Sequence, residues 1–287
     1  MGVALMSDNF IRFSSVAKIN RFLHITGRRQ DGYHELQSVF QFLNFGDFLE
    51  YKVTQTGNIN LLTPIAGVDN DSNLIVKAAN ALKPFASVDL GVDIKLEKNL
   101  PMGGGLGGGS SNAATTLLAL NALWKLDLDQ QTLINIGVKL GADVPVFIKG
   151  VTAFAEGIGE KLQPFHCDQP WFLVTIPGVE ISTASVFTHK DLPRSTAKHT
   201  IEEIDIDQCV NDCEALVRKL YPEVEKLMAW LLEYAPSRLT GTGACIFSTF
   251  SDKKSAEQLQ AKLPKGVKSF VAQGLTQTPT LHELQQL

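Results

Sequence analysis

The run PMGGGLGGGSSNAA, residues 101–114, is the most informative part of the chain for predicting its fold. Six of the seven residues at 103–109 are glycine, which permits positive φ angles and lets a ligand approach the backbone closely. Alternating residues at 91–100 predict a strand before it, and apolar residues at helical spacing predict a helix over 110–124 after it. Free N–H groups at the start of that helix favour an anion, so the run predicts a phosphate-binding loop.

Two serines stand at the predicted start of this helix. Ser110 or Ser111 is a suitable N-cap, and the hydroxyls of both can reach a phosphate or its magnesium ion. We therefore predict that the nucleotide phosphates contact a continuous set of residues: Pro101, Met102, Gly103, Gly104, Gly105, Leu106, Gly107, Gly108, Gly109, Ser110 and Ser111.

Other phosphate-binding motifs fit the loop less well. A Walker A loop needs a lysine after its last glycine, and none follows here. Gly103, Gly105 and Gly108 formally match the G-x-G-x-x-G of a dinucleotide-binding fold. That motif also needs an acidic residue after a second strand about 20 residues on, whereas Asp127 and Asp129 lie between two predicted helices. A flexible surface loop is the remaining alternative, and the two flanking elements argue against it.

Composition limits the class of protein. The chain has 287 residues, 44% of them hydrophobic and 20% charged, which is typical of a globular protein. Its net charge of −4 argues against a nucleic-acid partner. The first nine residues lack a signal peptide's basic start, and no apolar run of about 18 residues predicts a membrane span. The four cysteines form no metal-ligand pattern, so we expect reduced thiols and a cytoplasmic location.

Strands and helices alternate along the chain, which predicts an α/β or α+β protein with two sheets in two domains. A proline-bracketed irregular stretch near 162–170 suggests a boundary, giving domains at 1–162 and 163–287. We expect the last residues to pack back on the first domain. The predicted strands are 11–25, 39–53, 91–100, 171–176, 244–250 and 267–273; the predicted helices are 72–82, 110–124, 132–140, 208–220, 222–235 and 255–263, and 191–200 is a polar loop.

Two charged residues are candidates for phosphoryl-transfer chemistry. Asp143, in the run GADVPVF at 141–147, lies in a turn bounded by Pro145 and could accept a proton from a substrate hydroxyl. A local turn aspartate is the alternative. Lys18 and Asn20, two apart on a predicted strand, share a face, although Lys18 could also be an edge-strand residue facing water. The run LTGTGACIF at 239–247 is a second glycine turn, which either reaches phosphate through Thr240 or Thr242 or is purely structural.

Three runs together resemble the motifs of the GHMP kinase superfamily, named after the galactokinase, homoserine, mevalonate and phosphomevalonate kinases. They are VAKIN at 16–20, PMGGGLGGGSSNAA at 101–114 and LTGTGAC at 239–245. The runs DGYHEL at 31–36, GADVPVF and LEYAPSRLTGTGAC at 232–245 resemble one branch of it. That branch phosphorylates a cytidyl diphosphate ester of a branched polyol on the non-mevalonate route to isoprenoid precursors. The resemblance covers residues 14–274.

The resemblance implies an α+β fold, with an N-terminal ATP-binding domain, a ferredoxin-like C-terminal substrate domain and the active site between them. By motif position, Asp143 would be the general base and Lys18 its partner. Asn73 and Leu74 match a segment near the adenine, and Lys98 matches the basic residue before the loop. Magnesium would accompany ATP, with phosphate oxygens and water as most of its ligands, because the sequence shows no dedicated carboxylate cluster.

The resemblance also implies how the small-molecule substrate is selected. Tyr33 and His34 match a cytidine-binding pair, one suited to stacking on the base and the other to its polar edge. Phe187, in the run ISTASVF, matches an aromatic residue that covers the ring, and Thr183 and Asn20 complete the expected substrate contacts. Ser182 and Ala184 stand where prolines are usual in this run, which leaves the placement of Phe187 open.

Two rival functions remain at this point. The first is another GHMP kinase, acting on mevalonate, homoserine or a sugar. Those substrates have no base to stack, so Tyr33 and His34 argue against it. A non-catalytic nucleotide-binding protein would not need Lys18 and Asp143. We therefore predict an ATP-dependent kinase that acts on a cytidyl alcohol.

Overall fold

The computed structural model of the chain describes residues 9–65 and 67–287. The sequence predicted that residues 1–9 are not a signal peptide, and residues 1–8 lie outside the described range. In the described chain, every helix is too short or too polar to cross a membrane.

The first half of the chain forms the glycine-rich loop and the elements that support it. These elements are β1 (Ile11–Arg28), β2 (His34–Thr54), β3 (Ile59–Leu61), α1 (Leu74–Leu82), β4 (Gly91–Glu97), α2 (Gly108–Leu123), α3 (Gln130–Leu140), α4 (Val144–Lys149), β5 (Ala153–Gly157) and β6 (Lys161–Pro164).

The second half adds a smaller set of strands with helices on them. These elements are β7 (Trp171–Ile176), α5 (Thr183–Thr188), α6 (Glu214–Leu220), α7 (Pro222–Leu232), β8 (Ser237–Leu239), β9 (Ile246–Phe250), α8 (Lys253–Gln260), β10 (Lys268–Leu275) and α9 (Pro279–Gln285).

The strands of the described residues join in one sheet, with the order β3-β4-β2-β10-β7-β9-β8. β1 and β5 also pair with β2, and β6 pairs with β5. All pairs are antiparallel except β3 with β4. The two predicted sheets meet where Gly274 and Leu275 of β10 pair with Leu43 and Phe42 of β2. This short pairing brings residues from both halves of the chain together and so creates a cleft.

Helix α2 is the centre of the first half. Eleven of its sixteen residues are buried, so it is enclosed on several sides, whereas we had predicted a single apolar stripe. Small side chains such as Ala113 and Ala114 let α1, α4 and β1 approach it closely. Its Thr116 hydroxyl also bonds to the hydroxyl of Tyr51 in β2, and burial raises the pKa of that tyrosine. The position of the loop before α2 is therefore set by a tightly packed helix.

The structure corrects the predicted start of α2. The helix begins at Gly108, and its N-cap is Gly107 in a left-handed conformation without a side-chain cap. Ser110 and Ser111 lie inside the first turn, so neither is the N-cap. Helix 208–220 was also too long, since α6 begins only at Glu214. Asn211 is paired with Leu23 of β1 instead, and its side chain accepts the N–H of Cys213.

Three short helices were missed by the sequence analysis. In α4 and α9 a proline stands in the first turn, where its missing N–H costs nothing. We had interpreted Pro145 of α4 as the limit of a turn. The third helix, α5, is capped by the Ser182 side chain, which accepts the N–H of Ser185. Short helices of six or seven residues carry too few apolar positions for periodicity to reveal them.

The C-terminal helix α9 lies against the first strand. The Glu283 carboxylate accepts the N–H and the hydroxyl of Ser14, at 2.8 and 2.6 Å, and Thr280 donates to the Ser14 carbonyl. The last residues of the chain therefore pack on the N-terminal elements.

Candidate active site

The loop between β4 and α2 has the backbone that its glycines predicted. Gly103, Gly105 and Gly107 have φ angles of 68°, 77° and 72°. A Cβ at Gly105 would overlap the carbonyl oxygen of Thr240, and one at Gly107 would lie 2.9 Å from the Phe147 ring. Larger residues would therefore force the loop away from both neighbours.

A groove of about 360 Å³ lies along this loop. Its lining includes Asn73, Leu74, Lys98 and the loop residues Pro101, Met102, Gly103, Gly104, Gly105, Leu106, Gly107, Gly108, Gly109 and Ser110, all of which were predicted from the sequence to bind the nucleotide. Ile65, Val68, Ser72 and Asn112 also line the groove and were not predicted. The N-terminus of α2 opens into the groove, where the helix dipole favours negative charge.

Ser111 is not where the prediction placed it. Its side chain is buried, its hydroxyl donates to the carbonyl of Val16 at 2.8 Å, and Ser15 donates to it at 2.9 Å. Its N–H is bonded to the Gly107 carbonyl. Ser111 therefore ties α2 to β1 and has no free donor for a phosphate, whereas the half-buried Ser110 lines the groove.

Asn73 supplies a buried donor to the same groove. Its side-chain oxygen accepts the N–H of Ile75 at 2.9 Å and so caps α1. Its amide nitrogen Nδ2 is buried and has no hydrogen-bond partner among residues 9–65 and 67–287. A buried donor without a partner is costly, and an acceptor on a nucleotide base would satisfy it.

Lys98 lies at the entrance to the loop and is held by Asp47. Its Nζ donates to Asp47 Oδ2 at 2.7 Å and to the Leu100 carbonyl at 2.6 Å. Asp47 is fully buried and also accepts from the N–H groups of Asn99 and Leu100 and from the Asn112 side chain. The carboxylate thus fixes both the lysine and the backbone that leads into the loop.

Lys18 and Asp143 meet in the cleft beside the loop. Lys18 Nζ lies 3.1 Å from Asp143 Oδ2 and donates to Asn20 Oδ1 at 2.7 Å. The lysine side chain is buried, at 4% exposure, while the aspartate side chain is 33% exposed. The Lys18 N–H bonds to the carbonyl of Leu106, so the strand and the glycine-rich loop are joined at this point.

The turn at 239–247 closes the cleft from the other half of the chain. The Thr240 hydroxyl accepts the N–H of Asn20 at 3.0 Å, and the Thr240 side chain is fully buried. Thr242 bonds to Thr183, and both residues line the cleft with Gly241. Thr240 therefore holds β1 in place, and Thr242 is the threonine of this turn that reaches the cavity.

Of the predicted base-binding aromatic residues, Phe187 lies in the lining of the same cleft and His34 packs on it. The rings of His34 and Phe187 stack, with centroids 5.2 Å apart and an interplanar angle of 28°. Phe187 lines the cavity that contains Lys18 and Asp143. Tyr33 is 59% exposed and stands beside His34. Although Ser182 and Ala184 replace prolines, α5 brings Phe187 onto His34.

Arg194 was missed by the sequence analysis. It lies in the predicted polar loop, and its Nε donates to His34 Nε2 at 3.0 Å. Burial, followed by the charges of Arg194 and Arg28, lowers the pKa of His34 below its usual range. No local spacing connects Arg194 with His34, because the two residues are 160 positions apart.

Two family models match the chain. The N-terminal domain of GHMP kinases matches residues 73–151, and the C-terminal domain of GHMP kinases matches residues 194–269. The 4-diphosphocytidyl-2-C-methyl-D-erythritol kinase of Colwellia psychrerythraea is 56% identical, over 94% of this chain and 91% of the relative. The chain belongs to the 4-diphosphocytidyl-2-C-methyl-D-erythritol kinase family. It is thus a GHMP kinase, an ATP-dependent phosphotransferase with an alcohol group as acceptor.

Further relatives agree with this membership. The enzyme of the same name from Hahella chejuensis is 49% identical over 98% of this chain and 99% of its own length. A crystal structure of 4-(cytidine 5'-diphospho)-2C-methyl-D-erythritol kinase superposes with a TM-score of 0.82 at 29% identity, covering 92% of this chain and 99% of that chain. The Methanococcus jannaschii mevalonate kinase shares the fold at 14% identity and a TM-score of 0.67, covering 93% and 99% of the two chains. The predicted α+β fold and kinase class are therefore confirmed.

Proposed function

We propose that this chain transfers the γ-phosphoryl group of ATP to the 2-hydroxyl of 4-diphosphocytidyl-2-C-methyl-D-erythritol, with Asp143 as the general base. The observation that carries the proposal is the Lys18–Asp143 contact in a cleft with the glycine-rich loop on one side and the stacked His34 and Phe187 rings on the other. The cytoplasmic location and the domain division at 1–162 and 163–287 stay predictions.

The proposed step needs one proton acceptor and one aligned phosphate. The Asp143 carboxylate takes the proton of the acceptor hydroxyl while the hydroxyl oxygen attacks the γ-phosphorus. The bond between the γ-phosphorus and the ADP oxygen breaks, and ADP leaves. Lys18 Nζ has three donors. Asn20 accepts from one of them and Asp143 forms an ion pair with the ammonium, so a further donor can orient the acceptor oxygen and stabilise developing charge.

The nucleotide would lie along the groove beside α2. Backbone N–H groups of the loop and Lys98 would hold the phosphates, and Asn73 Nδ2 would donate to the adenine. Magnesium, when bound with ATP, would neutralise the β- and γ-oxygens. Within residues 9–65 and 67–287 no three His, Cys, Asp or Glu side chains cluster as a metal site. The residues around the groove therefore fit a magnesium ion that is held mainly by phosphate oxygens and water. The Ser110 hydroxyl is the nearby protein group.

A direct assay tests the reaction. ADP release would be measured with 4-diphosphocytidyl-2-C-methyl-D-erythritol, mevalonate, homoserine and galactose, and phosphorus NMR would locate the new phosphate. We expect turnover with the cytidyl alcohol alone and a phosphomonoester on its 2-oxygen. Faster turnover of one of the other alcohols would overturn the substrate assignment.

The aromatic end of the cleft offers a second test. Replacing Tyr33 and His34 together by Ala removes the proposed stacking and edge contacts. We expect the KM for the cytidyl substrate to rise at least ~10-fold while the KM for ATP changes less than about twofold. Equal increases in both constants would contradict a base-binding role.

A further inference from the structure

Arg194 holds a histidine ring in a way that decides which of its nitrogens carries the proton. The guanidinium donates to three carbonyl oxygens, those of Leu192, Phe187 and His189, at 3.1, 3.0 and 2.7 Å. Its Nε donates to His34 Nε2 at 3.0 Å. Four of its five N–H donors are thereby used, so the guanidinium has a fixed position and orientation.

Arginine has no acceptor, so the ring nitrogen that faces it must carry a lone pair. His34 is therefore neutral in this arrangement, and its proton is on the other ring nitrogen, Nδ1. A ring flipped about the Cβ–Cγ bond would place Cε1, which accepts no hydrogen bond, opposite Arg194, so the bond to Arg194 also selects the ring orientation. Burial of His34, together with the charges of Arg194 and Arg28, disfavours the doubly protonated ring as well.

We propose that Arg194 is a positioning residue that makes His34 a fixed hydrogen-bond donor and so lets the site select cytosine against uracil. The proposal rests on the proposed function, in which His34 meets the base. Cytosine presents a lone pair at N3, which a fixed N–H donor satisfies. Uracil carries a proton at N3, so two donors would face each other and both would stay unpaired.

The same arginine also couples the two aromatic residues. Its Nη2 donates to the carbonyl of Phe187, whose ring stacks on His34. One guanidinium therefore fixes the orientation of the His34 ring and the end of α5 that carries Phe187. Lysine cannot reproduce this arrangement, because its ammonium is a single point with no planar fork.

The test uses the full chain with two acceptors, the cytidyl diphosphate ester and its uridyl counterpart. A site with a fixed hydrogen-bond donor strongly rejects an analogue that lacks the matching acceptor. We therefore expect the wild type to prefer the cytidyl ester at least ~100-fold in kcat/KM. Arg194→Met should reduce this preference at least ~10-fold, mainly through KM for the cytidyl ester, with KM for ATP nearly unchanged. Arg194→Lys should restore only part of it.

A matched variant separates positioning from general stability. Arg238 is also half-buried and donates to three carbonyl oxygens, those of Arg21, Ile206 and Asp207. Arg238→Met should therefore lower the melting temperature about as Arg194→Met does, without changing the base preference. Equal preference in Arg194→Met and the wild type would overturn the proposal. If the wild type does not phosphorylate the cytidyl ester at all, the proposed function fails first.

Nitrogen NMR reads the proton position directly. We expect the wild-type His34 imidazole, assigned by its loss in His34→Ala, to show a protonated Nδ1 and an unprotonated Nε2. In Arg194→Met the proton should shift in part to Nε2. A wild-type ring protonated at Nε2, or one unchanged by Arg194→Met, would also refute the assignment.

Discussion

Two lysine–aspartate pairs flank the glycine-rich loop, and they differ in what remains free on the carboxylate. Asp47, paired with Lys98, is fully buried, and each of its oxygens accepts two hydrogen bonds. Asp143, paired with Lys18, is one-third exposed and makes no side-chain capping bond to its own helix α4. A carboxylate accepts about four hydrogen bonds, so Asp47 is saturated and Asp143 is not.

The contrast separates a structural aspartate from a candidate base. A base must have an open site toward the proton that it takes, and Asp143 has one toward the cleft. Asp47 instead fixes the backbone of Asn99 and Leu100, just before the loop. The Asp47–Lys98 pair therefore positions the backbone before the loop, whereas the Asp143–Lys18 pair, as we propose, takes part in phosphoryl transfer.

The largest expected effect tests the open pair. Asp143→Asn keeps the shape of the side chain and removes the proton acceptor. We expect kcat to fall about 10²–10⁴-fold, with ATP binding nearly unchanged. Steady-state kinetics and nucleotide titration would measure this. Asp168→Asn is the matched control, because that aspartate pairs with Arg21 and is 63% exposed. Near-normal turnover in Asp143→Asn would remove the distinction between the two pairs.

The saturated pair should respond in stability. Asp47→Asn replaces two acceptor sites by donors and leaves Lys98 without its counter-ion. We expect the free energy of unfolding to fall by about 3 kcal/mol, the lower end for breaking a buried pair. Urea unfolding would measure it, with the exposed Asp191–Lys219 pair as control, where Asp191→Asn should leave the free energy of unfolding nearly unchanged. If Asp47→Asn left the free energy of unfolding unchanged but abolished turnover, Asp47 would be catalytic and not structural.

Lys98→Met separates the lysine's two functions. Its side chain is 24% exposed and lines the groove, so we expect the KM for ATP to rise about 10-fold, as for a lost charge-assisted hydrogen bond. The kcat should change less than about threefold. An unchanged KM for ATP would mean that Lys98 serves only to neutralise Asp47.

The smallest effect is expected at Ser111. Because its hydroxyl is bonded to Val16, Ser111→Ala should cost about 1 kcal/mol of stability without changing the KM for ATP. The matched variant is Ser110→Ala, in the same turn but lining the groove, where the KM for ATP should rise instead. The opposite pattern would show that the first turn of α2 rearranges when nucleotide binds.

Elements that depend on local residue pattern could be predicted without the structure. The glycine-rich loop between a strand and a helix, and the helices α3 and α7, follow from spacing and turn chemistry within a few residues. Lys18 and Asn20 were placed on one face by the period of the strand, and their side chains do bond. Most residues that line the groove were singled out because they are contiguous or belong to recognisable motifs, whereas Ile65, Val68, Ser72 and Asn112 were not, and the predicted Ser111 does not line it.

Which polar groups remain free, by contrast, depends on contacts that form only in the folded chain. The saturation of Asp47, the inward hydroxyl of Ser111 and the contact of Arg194 with His34 all depend on partners distant in the sequence. A hydrogen-bonding group has a fixed number of donor and acceptor sites, and folding decides how many of them the protein itself uses. The donor and acceptor sites that the folded protein does not use are available to a ligand. No local pattern of residues predicts which sites these are.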